Sequence, residues 1–185
     1  SDLAPGNSYA VRISGDAIED LAGNAFAGIS NDTDWNFQTA ADATPPSIVP
    51  PTIPADDATD APTDTNLIAT FDEPIVPGTG NITLKNLTDA TDTVIPVGDP
   101  QVTVSGSELT IDLAANLDPG DDYAVRIDAG VVTDVVGNPF AGILAPDVTT
   151  WNFTTVADVT PPQITSLAPE DNSTGIAPGI VLLAT

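Results

Sequence analysis

The sequence predicts an all-β protein, a tandem array in which each complete unit is a two-layer sandwich of about seven to eight short strands. Three observations carry that expectation. Short stretches alternate apolar with polar residues, the period-2 pattern of a strand with one buried face. Clusters of Gly, Pro, Asp and Ser interrupt them, and no window shows a capped apolar stripe at helical period. The chain also repeats itself: Leu3-Ala4-Pro5-Gly6-Asn7-Ser8-Tyr9-Ala10-Val11-Arg12-Ile13 returns as Leu117-Asp118-Pro119-Gly120-Asp121-Asp122-Tyr123-Ala124-Val125-Arg126-Ile127, 114 positions on.

In chain order, the complete unit opens with strand candidates at 48–53 and 66–72, followed by 81–86, 93–97 and 101–104. Turn residues part them, namely Pro77-Gly78-Thr79-Gly80, Gly98-Asp99-Pro100 and Ser105-Gly106-Ser107. Leu109, Ile111 and Leu113 then alternate with Thr110 and Asp112. Behind the Asp118-Pro119-Gly120 turn, Tyr123, Val125 and Ile127 alternate with Ala124, Arg126 and Asp128. The last strand sets Trp151 and Phe153 against Asn152 and Thr154. A tyrosine at the start of a late strand, just after a Pro-Gly turn, packs its ring inward and bonds its hydroxyl to backbone at the corner. That role is expected of Tyr123 and of its copy Tyr9, and core packing is expected of Trp151 and Trp35.

The phase of the repeat sets the expected domain organisation. Asp20-Leu21-Ala22-Gly23-Asn24 matches Asp134-Val135-Val136-Gly137-Asn138, and Trp35-Asn36-Phe37 matches Trp151-Asn152-Phe153. Thr44-Pro45-Pro46 recurs as Thr160-Pro161-Pro162. Residues 1–43 therefore read as the C-terminal part of one unit, 44–157 as a complete unit, and 158–185 as the N-terminal part of the next. The expectation is an excerpt from a longer repetitive polypeptide. Arrays of this kind usually span, display or bind rather than catalyse.

Composition points outside the cell. Twenty-seven Asp and Glu oppose three Lys and Arg, a formal charge of −24 on 185 residues. Such self-repulsion keeps a long fibre soluble, disfavours nucleic acid and attracts divalent cations; adaptation to a saline medium would produce the same balance. There is no Cys, so size and core must supply the stability that disulfides give many secreted domains. No run approaches the ~18 apolar residues of a membrane span, so no membrane insertion is expected in this segment.

The motifs taken together carry a family resemblance. Asp42 to Pro46 (Asp-x-Thr-Pro-Pro), Pro54-Ala55-Asp56-Asp57-Ala58-Thr59, Asn66 to Ile75, Leu117-x-Pro-Gly-x-x-Tyr123, Asp134-x-x-Gly-Asn138 and Trp151-Asn152-Phe153-Thr154-Thr155 follow in that order. The set resembles the bacterial Ig-like repeat of the SbsA surface-layer type, over nearly the whole chain. The resemblance implies an Ig-like sandwich strung in tandem within surface-layer proteins, large adhesins, extracellular fibres or multidomain secreted enzymes. It does not choose among those hosts, because fold does not fix function.

Possible chemistry reduces to carboxylates. Without His or Cys, the usual general base, thiol nucleophile and transition-metal ligands are missing, and no enzyme is expected. Acid pairs such as Asp72-Glu73 and Asp121-Asp122 have the composition of a glycosidase dyad, but they fall on strand ends and turns, where solvated acids are the expected reading. Oxygen-rich loops suit Ca²⁺, which extracellular modules bind at roughly 10⁻⁴ to 10⁻³ M. Two places are candidate calcium sites. One is the Asp-x-x-Gly-Asn loop, Asp20 with Asn24 and Asp134 with Asn138, for which a tight turn begun by Asp is the competing reading. The other is the linker, where Asp42 and Asp158, near Asp56, Asp57 and Asp171, would clamp adjacent units; a hinge stiffened by Pro-Pro alone competes with it.

The functional expectation is non-enzymatic: a structural or adhesive segment of a long, secreted bacterial cell-surface protein, a fibre, adhesin stalk or S-layer. Its expected partners are neighbouring repeats of the same protein, in homopolymeric or fibre contacts, and a surface glycan or host-surface ligand. The alternative is a spacer or carbohydrate-contacting accessory module of a secreted multidomain enzyme.

Overall fold

Strands form in this chain where an alternating segment finds backbone partners on at least one side. The computed structural model describes residues 2–179, 181, 183 and 184. These described residues form fourteen short strands: β1 (Ser8–Ala10), β2 (Asn36–Gln38), β3 (Ala58–Ala61), β4 (Leu67–Thr70), β5 (Ile75–Pro77), β6 (Asn81–Asn86), β7 (Thr91–Pro96), β8 (Val102–Ser105), β9 (Glu108–Ile111), β10 (Asp122–Ile127), β11 (Val132–Asp134), β12 (Asn152–Thr155), β13 (Leu167–Ala168) and β14 (Leu183–Ala184). No helix occurs among the described residues. The class is all-β, as alternation and turn spacing predict.

Two sheets make the sandwich. One is five-stranded in the order β3-β12-β10-β6-β7, and the other is three-stranded in the order β4-β9-β8. A short pair, β11-β5, joins the two near one end. Within the five-stranded sheet β10 is antiparallel to both neighbours, whereas β3 runs parallel to β12. The inward residues of both sheets interlock into one core. Leu67, Ala69, Leu109 and Ile111 from one side meet Ile82, Leu84, Val125, Ile127 and Phe153 from the other, all buried. This is an Ig-like β-sandwich.

Most strand candidates coincide with observed strands to within two residues, but 48–53 does not form one. Pro50 and Pro51 lack amide hydrogens, so the segment makes single bridges instead, Ile48 to Phe71 and Ile53 to Ile68. Past Pro54 the chain leaves the edge of the three-stranded sheet and joins the other as β3. Prolines thus sit where the chain changes sheets, at an edge that needs few of its donors.

The tyrosine corner is present. Tyr123 is buried, its ring stacks on Phe153 at 5.6 Å, and its hydroxyl accepts a hydrogen bond of 2.9 Å from the Asp118 amide. Asn86 Nδ2 donates to the same oxygen at 3.3 Å. Tyr9 repeats the geometry, with the Ala4 amide donating at 2.7 Å and Phe37 stacked at 5.8 Å. Tyr123→Phe is expected to cost about 1–2 kcal/mol, because a half-buried amide loses its acceptor while the ring packing survives. Urea unfolding of the two proteins measures the difference.

The flanking segments reproduce the local geometry of the complete unit. β1 pairs with β2 as Tyr9 opposite Phe37 and Ala10 opposite Asn36, the register of Tyr123–Phe153 and Ala124–Asn152 between β10 and β12. Ile13 bridges Ile29 as Ile127 bridges Ile143. Ala168 pairs with Leu183, as Ile53 bridges Ile68. Trp35 departs from the core role expected of it. Trp151 is 1% exposed, but Trp35 is 49% exposed, because among the described residues nothing equivalent to Pro54 and the three-stranded sheet lies against it.

Candidate functional site

The Asp134 loop is built by its own carboxylate. Asp134 closes β11, and its Oδ1 accepts the amides of Val136, Gly137 and Asn138 at 2.9, 2.6 and 2.8 Å. Oδ2 accepts Asn138 Nδ2 at 2.7 Å. Asp20 does the same for the amides of Ala22 and Asn24, both at 2.9 Å, and for Asn24 Nδ2 at 2.8 Å. Both Asp–Asn pairs are therefore hydrogen-bonded turns. In the complete unit the loop also reaches the linker, where Asn138 Nδ2 donates to the Asp42 carbonyl at 3.3 Å.

That contact assembles a cluster which neither segment shows alone. Carboxylate oxygens of Asp42, Glu73 and Asp134 lie within 4.8 Å of one another, with Asp134 buried and the other two half-buried. Asp42 Oδ1 accepts the Thr44 amide at 3.0 Å, and Asp158 holds Thr160 in the same way at 2.8 Å. Asp56 and Asp57 stand elsewhere. Asp56 Oδ1 accepts the Asn152 amide and Nδ2 at 3.0 and 3.1 Å, and Asp57 Oδ1 accepts that Nδ2 at 3.2 Å, which ties the sheet-crossing segment to β12. Glu73 was visible in the sequence only as half of an acid pair, since its partners come from the linker and from the loop after β11.

A second cluster, Asp89, Asp118 and Asp121, lies beside the tyrosine corner. Asp121 Oδ2 accepts Asn86 Nδ2 at 2.6 Å. The sequence held no signal for this grouping, because the three residues come from two separate turns. The glycosidase-like pairs do other work: Asp72 accepts the Ser47 amide at 2.8 Å, and Asp122 accepts the Thr154 hydroxyl at 2.6 Å. Each is spent on joining neighbouring segments.

The electrostatics separate these acids into two kinds. Burial works to raise the pKa of Asp134, but the bonds from Asn138, Gly137 and Val136 win and hold it below the ordinary range. The Thr150 hydroxyl and Thr149 amide bring Asp147 down to about 2. Glu73 goes the other way, raised by desolvation and then by the charges of Asp134, Asp42 and Asp72. Depressed carboxylates stabilise the fold above their unfolded pKa, near 4, and lose that contribution as pH falls through the folded value. Glu73 binds its proton more readily when folded, so its protonation on acidification stabilises. Thermal melts are therefore expected to show little loss between pH 7 and 5 and a steep fall below about 4. Glu73→Gln is expected to raise the melting temperature at pH 7 and leave the steep fall in place.

The fold and these sites define a class: an Ig-like module whose polar side chains serve turns and strand joints. Residues 42–155 match the family model for the bacterial Ig-like domain, and the chain belongs to that family. No curated protein matches the chain. The family is non-catalytic, and its members typically stand in surface or extracellular proteins. Among the described residues no helix is long and apolar enough to cross a membrane.

Proposed function

We propose that this chain is a structural segment of a secreted bacterial cell-surface protein, a fibre, adhesin stalk or surface layer, in which tandem Ig-like units hold other parts at a distance. One observation carries the reading. The flanking segments rebuild, in the same register, one strand pair and one bridge of the central sandwich, so that the sequence repeat is also a repeat of local structure. Pro45-Pro46 and Pro161-Pro162 recur at equivalent points of it and favour extended joints over collapsed ones. Small-angle scattering of polypeptides holding one, two and three consecutive copies tests the idea. The maximum dimension is expected to grow by an equal increment per copy, and growth as the cube root of mass would refute it.

Calcium belongs to the same proposal as a stiffener of the joint. The donor set fits a hard cation: Glu73 accepts no hydrogen bond among the described residues, Asp42 retains a free Oδ2, and the neighbouring charges that repel Glu73 would be neutralised by the ion. Water would complete the coordination, because three carboxylates supply fewer than the six to eight oxygens required. Millimolar calcium is expected to raise the melting temperature of the wild-type chain and to lose that effect in Glu73→Gln. An unchanged transition in the wild type removes calcium from the proposal and leaves the spacing role standing.

A further inference from the structure

The two sheets of the sandwich are unequal, and the larger one overhangs the smaller. β7 is the outer strand of the five-stranded sheet, and its Thr91 and Thr93 pair with Asn86 and Leu84 on the inward face. Asn86 and Leu84 are buried, yet Thr91 and Thr93 stay exposed, because the three-stranded sheet stops short of them. The overhang roofs a groove of about 250 Å³. Leu84, Leu113 and Leu117 give it an apolar floor, and Asp118 stands in its lining. Oxygens of Asp89 and Asp121 approach that of Asp118 to within 4.8 Å, so one end of the groove is anionic.

β7 also offers backbone. The Val97 amide donates to Gly80 across the ladder at 3.0 Å, and alternation from that point turns the amides of Asp92 and Val94 out of the sheet. Open edges of this kind accept an added strand. A second copy of this chain is a poor occupant. All three of its cations are engaged: Arg12 with Asp32, Lys85 with Asp92, and Arg126 through Nε with the Asp147 carbonyl. Every copy also brings a further charge of −24.

We propose that β7 and this groove bind an extended segment of a different protein that carries a lysine or arginine. The segment adds to β7 as a sixth strand. Its basic side chain lays an aliphatic stem along Leu84, Leu113 and Leu117 and sets its charge among Asp118, Asp121 and Asp89. The site is separate from the linker cluster and does not depend on calcium.

The probe is an end-capped peptide of alternating Thr and Val with one central lysine, compared with the same peptide bearing norleucine. Calorimetry on the whole chain is expected to show the lysine peptide binding about tenfold more tightly than the norleucine peptide. In the double variant Asp89→Asn, Asp118→Asn that difference should vanish. Neither side chain accepts a hydrogen bond among the described residues, so the fold is expected to tolerate the change. Val94→Pro removes an outward amide from an edge strand, which sheets tolerate, and should abolish binding of both peptides. Equal binding of the two peptides, binding of neither at millimolar concentration, or amide shifts mapping away from β7 each overturn the proposal.

Discussion

Trp151→Ala is expected to destabilise the sandwich by about 3–5 kcal/mol, whereas Trp35→Ala should change it by less than about 1 kcal/mol. The two tryptophans occupy equivalent sequence and have the same backbone bond, Val125 to the Trp151 carbonyl and Val11 to the Trp35 carbonyl, both 2.9 Å. Their surroundings differ. Trp151 is fully buried, and its indole Nε1 donates to the Pro54 carbonyl at 2.9 Å, which fixes the segment that passes between the sheets. Its loss opens a cavity, leaves the buried Pro54 carbonyl with the Thr52 hydroxyl as its remaining donor, and frees the crossing segment. Trp35 is half-exposed and has no such partner among the described residues, so truncation there removes little buried surface. Urea unfolding followed by circular dichroism compares the variants. Similar losses for both would mean that 1–43 and 44–157 share a core, and the domain boundaries expected near residue 43 would fall.

The sequence revealed those strands whose inward faces are apolar. β6, β9 and β12 alternate cleanly because each lies on the core with its other face less buried, and β10 alternates in sequence although Ala124 on its other face is buried too. β3 escaped notice for the converse reason. Ala58-Thr59-Asp60-Ala61 has little strand propensity and pairs because the sheet-crossing segment delivers it to β12. β5 and β11 are three-residue pieces too short to show a period. A proline-rich apolar run at 48–53 suggested a strand that missing amides then reduced to bridges.

Site residues divide along the same line. The Asp134–Asn138 and Asp20–Asn24 turns were readable because their hydrogen bonds are local, spanning four residues. The meeting of Asp42, Glu73 and Asp134 was not readable, since it depends on where the linker leaves the sandwich. The acidic end of the β7 groove escaped for a related reason, because two turns from different parts of the chain meet only after β6 and β10 pair.

Gly142→Ala is expected to cost about 3 kcal/mol or more. Gly142 has φ +86°, a region that costs an L-residue roughly 1–2 kcal/mol. The added Cβ would also stand 2.6 Å from the Ile127 carbonyl oxygen and 2.8 Å from the Ala129 nitrogen. Both are backbone atoms, so neither can rotate away. Moving them would strain the reciprocal bonds of 3.0 and 2.8 Å between Ile127 and Ile143 at the end of β10. Gly28 meets the same obstacle in the first segment, with Cβ contacts of 2.7 Å to the Ile13 oxygen and the Gly15 nitrogen. Gly137 separates conformational strain from collision: its φ is +103°, but nothing lies within 4 Å of its Cβ position. Gly137→Ala should therefore cost only about 1–2 kcal/mol. Denaturant midpoints for the two variants decide the matter. Equal losses would show that backbone conformation alone requires glycine at 142, and a near-neutral Gly142→Ala would mean that the end of β10 yields without cost.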